Sequence, residues 1–328
     1  MNDPIEQKVN EWERVLGPPI REVNLQIIHL SKRLFNDYEL YIGPSPTFRD
    51  RLAQWLQNVK ATKDQKSLFQ LIPHIFYIGK EEFNVLYREA YNTIYFRWLT
   101  DLLKINFLNE EENARLIKEA LSHTWFCPLT DSLRINQFYH INNIPAQNDH
   151  RPDWRSLRQF GSVEKIKNYI LENEIKYLVL LEDFVGNGGQ VSKTVEFVAK
   201  NFPQIPTLVI PLIICPAGLK VSQDFEKQQK VVSIRPVISL PKSWFLTKSV
   251  TKDEPKLFDE IRRLSIKNYS KVCGGVVPKS GMEPYSPLGY KQTGGLIVMY
   301  TNTPNNTLPI IHRQSELWFP IFLRHKRV

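Results

Sequence analysis

Apolar side chains recur at helical spacing through the first third of the chain and give way to continuous apolar runs after it. Within residues 81–103, Phe83, Leu86, Tyr87, Tyr91 and Ile94 fall on one helical face. Residues 108–121 predict another helix, with Asn109 as its N-cap. An Asn oxygen there can accept from the unpaired N–H groups of the first turn. Gly17-Pro18-Pro19 and Gly43-Pro44-Ser45-Pro46 predict turns between helices. Residues 1–120 therefore read as a mostly helical part, and its many aromatics as core and interface packing.

From about residue 125 the period changes. A short apolar run, residues 125–129, ends in Thr130-Asp131-Ser132, and a polar loop covers 142–154. Residues 163–175 predict a helix with Val163, Ile166 and Ile170 on one face. Residues 177–181 are apolar throughout, the mark of a strand buried on both faces of a parallel sheet. A loop is expected over 182–189. Beyond it Val191, Val195, Val198 and Phe202 define a further helix, and residues 207–215 a second buried strand. Polar residues 220–230 precede a strand expected over 231–240; a helix at 253–269, a Gly/Pro-rich loop at 273–289 and a last strand at 295–300 follow. The closing segment, 302–325, reads as irregular. Strand–helix alternation of this kind builds an α/β sheet with right-handed crossovers. The expected division is a helical part, 1–120, and an α/β domain with an irregular tail, 121–328.

Composition narrows the class. Of 328 residues, 42% are hydrophobic and 23% charged, which suits a globular chain. The three cysteines stand far apart without CxxC pairing, so a reduced, cytoplasmic protein is expected. The longest apolar stretch, 208–215, is far short of the ~20 residues that span a membrane, and Pro211 interrupts it. The net charge of +9 favours polyanionic partners. Nucleic acid is not favoured among them, because the basic residues form no stripe and match no reader motif. Neither HExxH nor HxxxH occurs, and no G-x-S-x-G, so zinc and serine-nucleophile chemistry lack their signatures.

The segment with the most chemistry is 178–191. Two adjacent acids, Glu182 and Asp183, close the buried run, and Gly186, Gly188 and Gly189 precede the next helix. Glycines permit a tight turn and close backbone approach. A helix N-terminus offers unpaired N–H groups and a positive dipole end to an anion. Ligands of open α/β sheets bind at the carboxyl ends of strands. These parts together predict a sugar-phosphate site, with the N–H groups on the phosphate and the carboxylates on the sugar hydroxyls, directly or through a divalent cation. A P-loop is excluded because Gln190 and Val191 follow Gly189, and a dinucleotide fingerprint because Val191 stands three past Gly188.

The string from Leu178 to Gln190 resembles the phosphoribosyl-diphosphate signature of type I phosphoribosyltransferases. Together with CPLTDSLRI, RPDWRSL, VIPLIICPAG and the tail, it is similar to the phosphoribosyltransferase-fold proteins of bacterial conflict systems, the PRTase-CE group, over roughly residues 75–328. The resemblance implies a type I phosphoribosyltransferase-like parallel sheet and an effector of anti-phage defence with an operon-encoded partner protein. It implies that the ligand is phosphoribosyl diphosphate or a nucleotide. Glu182 and Asp183 would hold the ribose 2- and 3-hydroxyls, and Gly186, Asn187, Gly188, Gly189 and Gln190 the 5-phosphate. Mg²⁺ is implied as cofactor, met by Glu182 and Asp183 indirectly, through ligand or water. Thr130, Asp131 and Ser132 would form the pyrophosphate loop, or alternatively a helix N-cap. Arg134, Arg151 and Arg155 could neutralise the diphosphate, since guanidinium forks match phosphate oxygens.

Departures from the family pattern are plain. Asn187 and Gln190 stand where Ser or Thr is usual, and Gly186 where purine-salvage members often carry an Asp. They motivate a second reading, a catalytically silent nucleotide-binding sensor. A transferase of this kind needs no protein nucleophile, so the missing nucleophile motifs do not separate the two. Asn302, Asn305, Asn306, Thr307 and His312 form a polar cluster in the tail, with Asn305 and Asn306 as substrate-side candidates and Asx-turns as the structural alternative. Lys80, Tyr87 and Arg88 are further candidates from the helical part.

Overall fold

In the computed structural model of the chain, described residues are all but 1–2, 42–45, 107, 145–153, 155–160, 251, 253, 278–284 and 326–328. The chain divides into two compact units. The first joins residues 1–80 to 242–328; the second is residues 81–241. The sequence division at about residue 120 falls inside the second unit.

The first unit opens with α1 (Pro4–Leu16), capped by Asp3, and α2 (Pro19–Arg33), with the expected turn at Gly17 between them. Next come α3 (Phe48–Gln57), closed by a capping box between Thr47 and Asp50, and α4 (Thr62–Leu71). Of the turn expected at 43–46, only Pro46 is described. A short strand, β1 (Phe76–Ile78), ends this stretch.

The second unit, from Glu81, opens within α5 (Lys80–Glu89) and continues with a π turn at Ala90–Tyr95 and α6 (Phe96–Leu103). The π turn inserts one residue into the helical period. Phe83, Leu86, Tyr87 and Tyr91 are buried as expected, but the next buried positions are Tyr95, Trp98 and Leu99, not Ile94. Asn109 caps α7 (Glu110–Ser122) by accepting from Glu112 N. Then follow β2 (Thr124–Pro128), α8 (Ile135–Ile141), α9 (Val163–Glu172), β3 (Tyr177–Val185), α10 (Gly189–Asn201), β4 (Thr207–Ile214), α11 (Pro216–Gln228), β5 (Val232–Ile234) and β6 (Ile238–Ser239).

The strands β2-β3-β4-β5 form one parallel sheet, and β6 also pairs in parallel with β4. The single strand expected over 231–240 is two. Pro211, in the middle of β4, has no N–H for the ladder, and neither has Pro236 between β5 and β6. The ladder resumes when Val237 N donates to Pro211 O at 2.9 Å.

Helices cover both faces of this sheet. On one, Trp125, Cys127, Leu178, Leu180 and Val209 pack with Ile166 and Ile170 of α9 and Val191, Val195 and Val198 of α10. Each such side chain, fully buried, contributes about 1.5–3 kcal/mol. On the other, Phe126 meets the rings of Tyr91, Tyr95 and Phe138 at centroid distances of 5.9, 5.0 and 5.5 Å. The fold class is thus α/β with a helix-flanked parallel sheet.

The chain then completes the first unit with α12 (Lys256–Val272), a hairpin of β7 (Tyr285–Ser286) and β8 (Gly289–Tyr290), β9 (Ile297–Met299) and the short α13 (Pro309–His312). The last expected strand does not join the main sheet: β9 pairs in parallel with β1. Phe322 lies against Phe35, Phe48 and Tyr77. The buried Arg51 donates to the carbonyls of Phe35 and Ile321 at 2.9 and 3.2 Å. Both ends of the chain therefore build one core. No helix among the described residues is long and apolar enough to cross a membrane.

Candidate functional site

The two acids lie within β3, which runs three residues past Glu182 rather than ending at it. Alternation along a strand sends Glu182 to the face of Leu178 and Leu180, and Asp183 to the opposite face. The neighbouring β2 stops at Pro128, opposite Leu181. Leu129 N still donates to Leu181 O at 2.7 Å, which brings the next residue, Thr130, alongside Glu182.

There Thr130 N donates to Glu182 Oε2 at 3.0 Å, and Thr130 Oγ1 to Oε1 and Oε2 at 2.8 and 2.9 Å. Ser132 Oγ donates to Asp183 Oδ1 at 2.7 Å, and Phe184 N donates to the same oxygen at 2.8 Å. The two hydroxyl oxygens are 2.6 Å apart. Asp131, between them, is exposed. Glu182 and Asp183 are only 2% and 3% exposed, so the Thr130–Ser132 segment seals the pair.

Charge at this pair is costly. Burial first, then the Asp183 charge, pushes the Glu182 carboxyl well above the usual carboxylate range, against the opposing hydrogen bonds from Thr130. Proton counting agrees. With Thr130 donating to Glu182 and Ser132 to Asp183, both hydroxyl protons are used. The 2.6 Å hydroxyl–hydroxyl contact gains a proton only if the carboxyl pair keeps one.

A pH prediction follows. A carboxyl whose folded-state pKa is raised gives its full stability below the unfolded-state value and loses it as pH climbs through the folded-state value. Glu182→Gln has no such loss. Its melting temperature, in ligand-free protein with chelator, is expected to rise relative to the unaltered chain as pH climbs above the usual carboxylate range. A constant difference would show that Glu182 is not raised.

The glycines after β3 have separable reasons. Gly188 is the N-cap of α10 with φ +80°, and an added Cβ would lie 3.0 Å from Val221. Gly218, in α11, donates its N–H to Gly186 O at 3.0 Å, while Cys215 N donates to Val185 O at 2.8 Å. The first turn of α11 thus fixes the turn that leaves β3. A Cβ on Gly218 would meet Gly186 O at 2.8 Å and Val185 Cγ1 at 2.9 Å. Gly189 is different: beyond its chain neighbours and its own helix backbone, no heavy atom lies within 4 Å of where a Cβ would be, and its φ is ordinary. No side chain caps α10, so its leading N–H groups have no partner within the helix. The Asn187 Nδ2 atom is buried without a hydrogen-bond partner.

The structure therefore brings together Thr130, Ser132, Glu182 and Asp183, with the 186–190 turn following directly. Gly218 is a residue the sequence argument passed over. Its signal was a Pro at the start of a helix with Gly two residues on, after a buried strand. Arg134 is exposed, and Tyr87 is buried with its hydroxyl 3.5 Å from Arg134 O. Arg88 is exposed; Arg151 and Arg155 lie outside the described residues. Lys80 belongs to the first unit, where its N–H donates to Asp37.

The tail cluster also belongs to the first unit. Asn302 donates to His325 O at 3.1 Å, Asn306 to Thr293 Oγ1 at 2.8 Å, and Thr307 Oγ1 to Ile297 O at 2.5 Å. Tyr290 N donates to Asn305 O at 2.8 Å. His312 pairs its Nε2 with Thr307 O, and burial lowers its pKa to about 3, so the ring is neutral.

Direct ligation of Mg²⁺ does not fit the acids as they stand. Both Glu182 oxygens accept from Thr130, and among the described residues no group of three or more His, Cys, Asp or Glu side chains could hold a metal ion.

No curated protein and no solved structure matches the chain. The PRTase-CE family model matches residues 52–324. That match spans both acids, the glycine turn, Thr130–Ser132 and Gly218, and with it the sheet that carries them is a phosphoribosyltransferase-like module. The chain belongs to the PRTase-CE family.

Proposed function

We propose that the 182–190 segment binds a pentose 5-phosphate that carries a leaving group, phosphoribosyl diphosphate or a nucleotide, in the service of anti-phage defence. Gly189 is the observation that carries the reading. It sits at the first position of an uncapped helix, six residues after an acid pair, with open space where a side chain would be. The fold makes no demand for glycine there; a phosphate approaching the helix N-terminus does. Glu182 and Asp183 then serve the ribose hydroxyls, and family membership supports the defence role.

In the transferase form of this reading, an acceptor forms a bond to the anomeric carbon as the bond to diphosphate breaks. The chain's part is positioning and anion binding. Mg²⁺, if bound, would be held by the diphosphate oxygens and met by Glu182 and Asp183 only through the ligand or water, where it would offset the charge of the departing diphosphate. The sealing of both acids by Thr130 and Ser132 favours a second reading, a nucleotide sensor that binds saturably without turnover.

The test is Gly189→Ala. Its melting temperature should equal or exceed that of the unaltered chain, because alanine is the better helix residue by up to about 1 kcal/mol. Its affinity for phosphoribosyl diphosphate should fall about tenfold or more, since a methyl group then occupies the phosphate's approach. Unchanged affinity in a folded variant would remove the phosphate from this helix end.

A further inference from the structure

Thr130 and Ser132 present two neighbouring hydroxyls, 2.6 Å apart, one on Glu182 and one on Asp183. That is the arrangement in which a sugar would offer two adjacent ring hydroxyls to the same pair. The contacts are short, and they leave each acid almost wholly buried. Thr130 N donates to Glu182 as well, so one segment occupies both acids from the end of β2. Asp131, at the tip of that segment, faces solvent, and neither Thr130 nor Ser132 belongs to a strand or helix.

We propose that the Thr130–Ser132 segment is a latch: its two hydroxyls stand in for the sugar diol on Glu182 and Asp183, and a ligand engages the acids only by displacing them. The proposal rests on the sugar-phosphate reading of this site. A ligand must then compete with contacts already made, so its apparent affinity is reduced by the fraction of molecules with the latch open. The device makes the site selective as well. Only a ligand that carries both hydroxyls replaces what the segment gives up; one lacking a hydroxyl leaves one of the buried acids a donor short.

The experiment compares the full-length chain with its Thr130→Val/Ser132→Ala variant, titrated with ribose 5-phosphate and with 2-deoxyribose 5-phosphate. The variant should bind ribose 5-phosphate about tenfold more tightly than the unaltered chain, with little or no gain for the deoxy sugar. Equal or weaker binding of ribose 5-phosphate by the variant, with saturable binding by the unaltered chain, would overturn the latch and leave the sugar-phosphate reading intact. Binding by neither protein would overturn both. Should the variant fail to fold, hydrogen exchange in the unaltered chain decides. Ribose 5-phosphate should accelerate exchange at the Thr130 amide, which is held by Glu182 in the closed form; slower exchange on ligand addition would overturn the latch.

Discussion

Phosphoribosyl diphosphate titrated with Mg²⁺ into protein carrying Glu182→Gln and Asp183→Asn is expected to bind far more weakly than it does to the unaltered chain, for which a saturable isotherm is expected. The two amides keep the shape of the carboxyls, and an amide oxygen still accepts from Thr130 N and Phe184 N, the backbone donors that now hold the acids. What is lost is charge. The pair shares one proton, so one charge is removed, and a hydrogen bond to a charged group contributes about 1.5–3 kcal/mol. At about 1.4 kcal/mol per factor of ten, affinity falls by roughly one to two orders of magnitude. The folded state should not suffer, because burying two neutral amides is easier than burying two acids. Circular dichroism and the melting temperature check that. A folded double variant that still binds tightly would remove the acids from sugar recognition.

The second large effect is expected at Gly218, far along the chain from the acids. Gly218→Ala places a methyl group 2.8 Å from the Gly186 carbonyl and 2.9 Å from Val185 Cγ1. Neither is the far end of a flexible side chain, so the first turn of α11 and the turn after β3 must part. Overpacking of this kind destabilises by about 1–3 kcal/mol, and the residue 81–241 unit should melt roughly 2–12 °C lower. Ligand affinity should fall as well, because the displaced carbonyl belongs to the phosphate turn. For melting, Gly189→Ala is the matched control: a methyl added three residues beyond Gly186, with no heavy atom within 4 Å outside its chain neighbours and helix backbone. Melting of Gly218→Ala indistinguishable from that of the unaltered chain would show that the close approach is not required.

Much of the site was legible because its signals are local. Glycines and adjacent acids after a buried run mark a strand–turn–helix whatever surrounds it, and Asn109 announces its helix through a bond three residues away. The missing parts are those that depend on a partner. Glu182 and Asp183 read as the start of a loop, yet β4 extends the ladder to Val185. Thr130 was a candidate for an anion; nothing local shows that its hydroxyl is committed to an acid 52 residues on. The break between β5 and β6 needs two prolines on neighbouring strands, and the π turn moves the buried face by one residue without any pattern that a 3.6-residue period would register. The strand at the C-terminal end was visible as a strand, but its partner β1 has three residues and sits more than two hundred positions earlier.

That last pairing bears on how the chain is made. The unit of residues 81–241 leaves the ribosome as one continuous piece and can fold as soon as it emerges. The N-terminal helices leave first and wait longest. Among the described residues β1 pairs only with β9, so it waits until β9 is synthesised, and Arg51, Phe35 and Phe48 lack Ile321 and Phe322 until residues 321–322 are made. Closing so long a loop slows assembly, and in the interval an apolar surface stands open to aggregation or to a chaperone. Loss of residues 321–322 is thus an injury to the helices of residues 1–71, and a nascent chain cut short before Phe322 would carry a finished sheet and an unfinished helical unit.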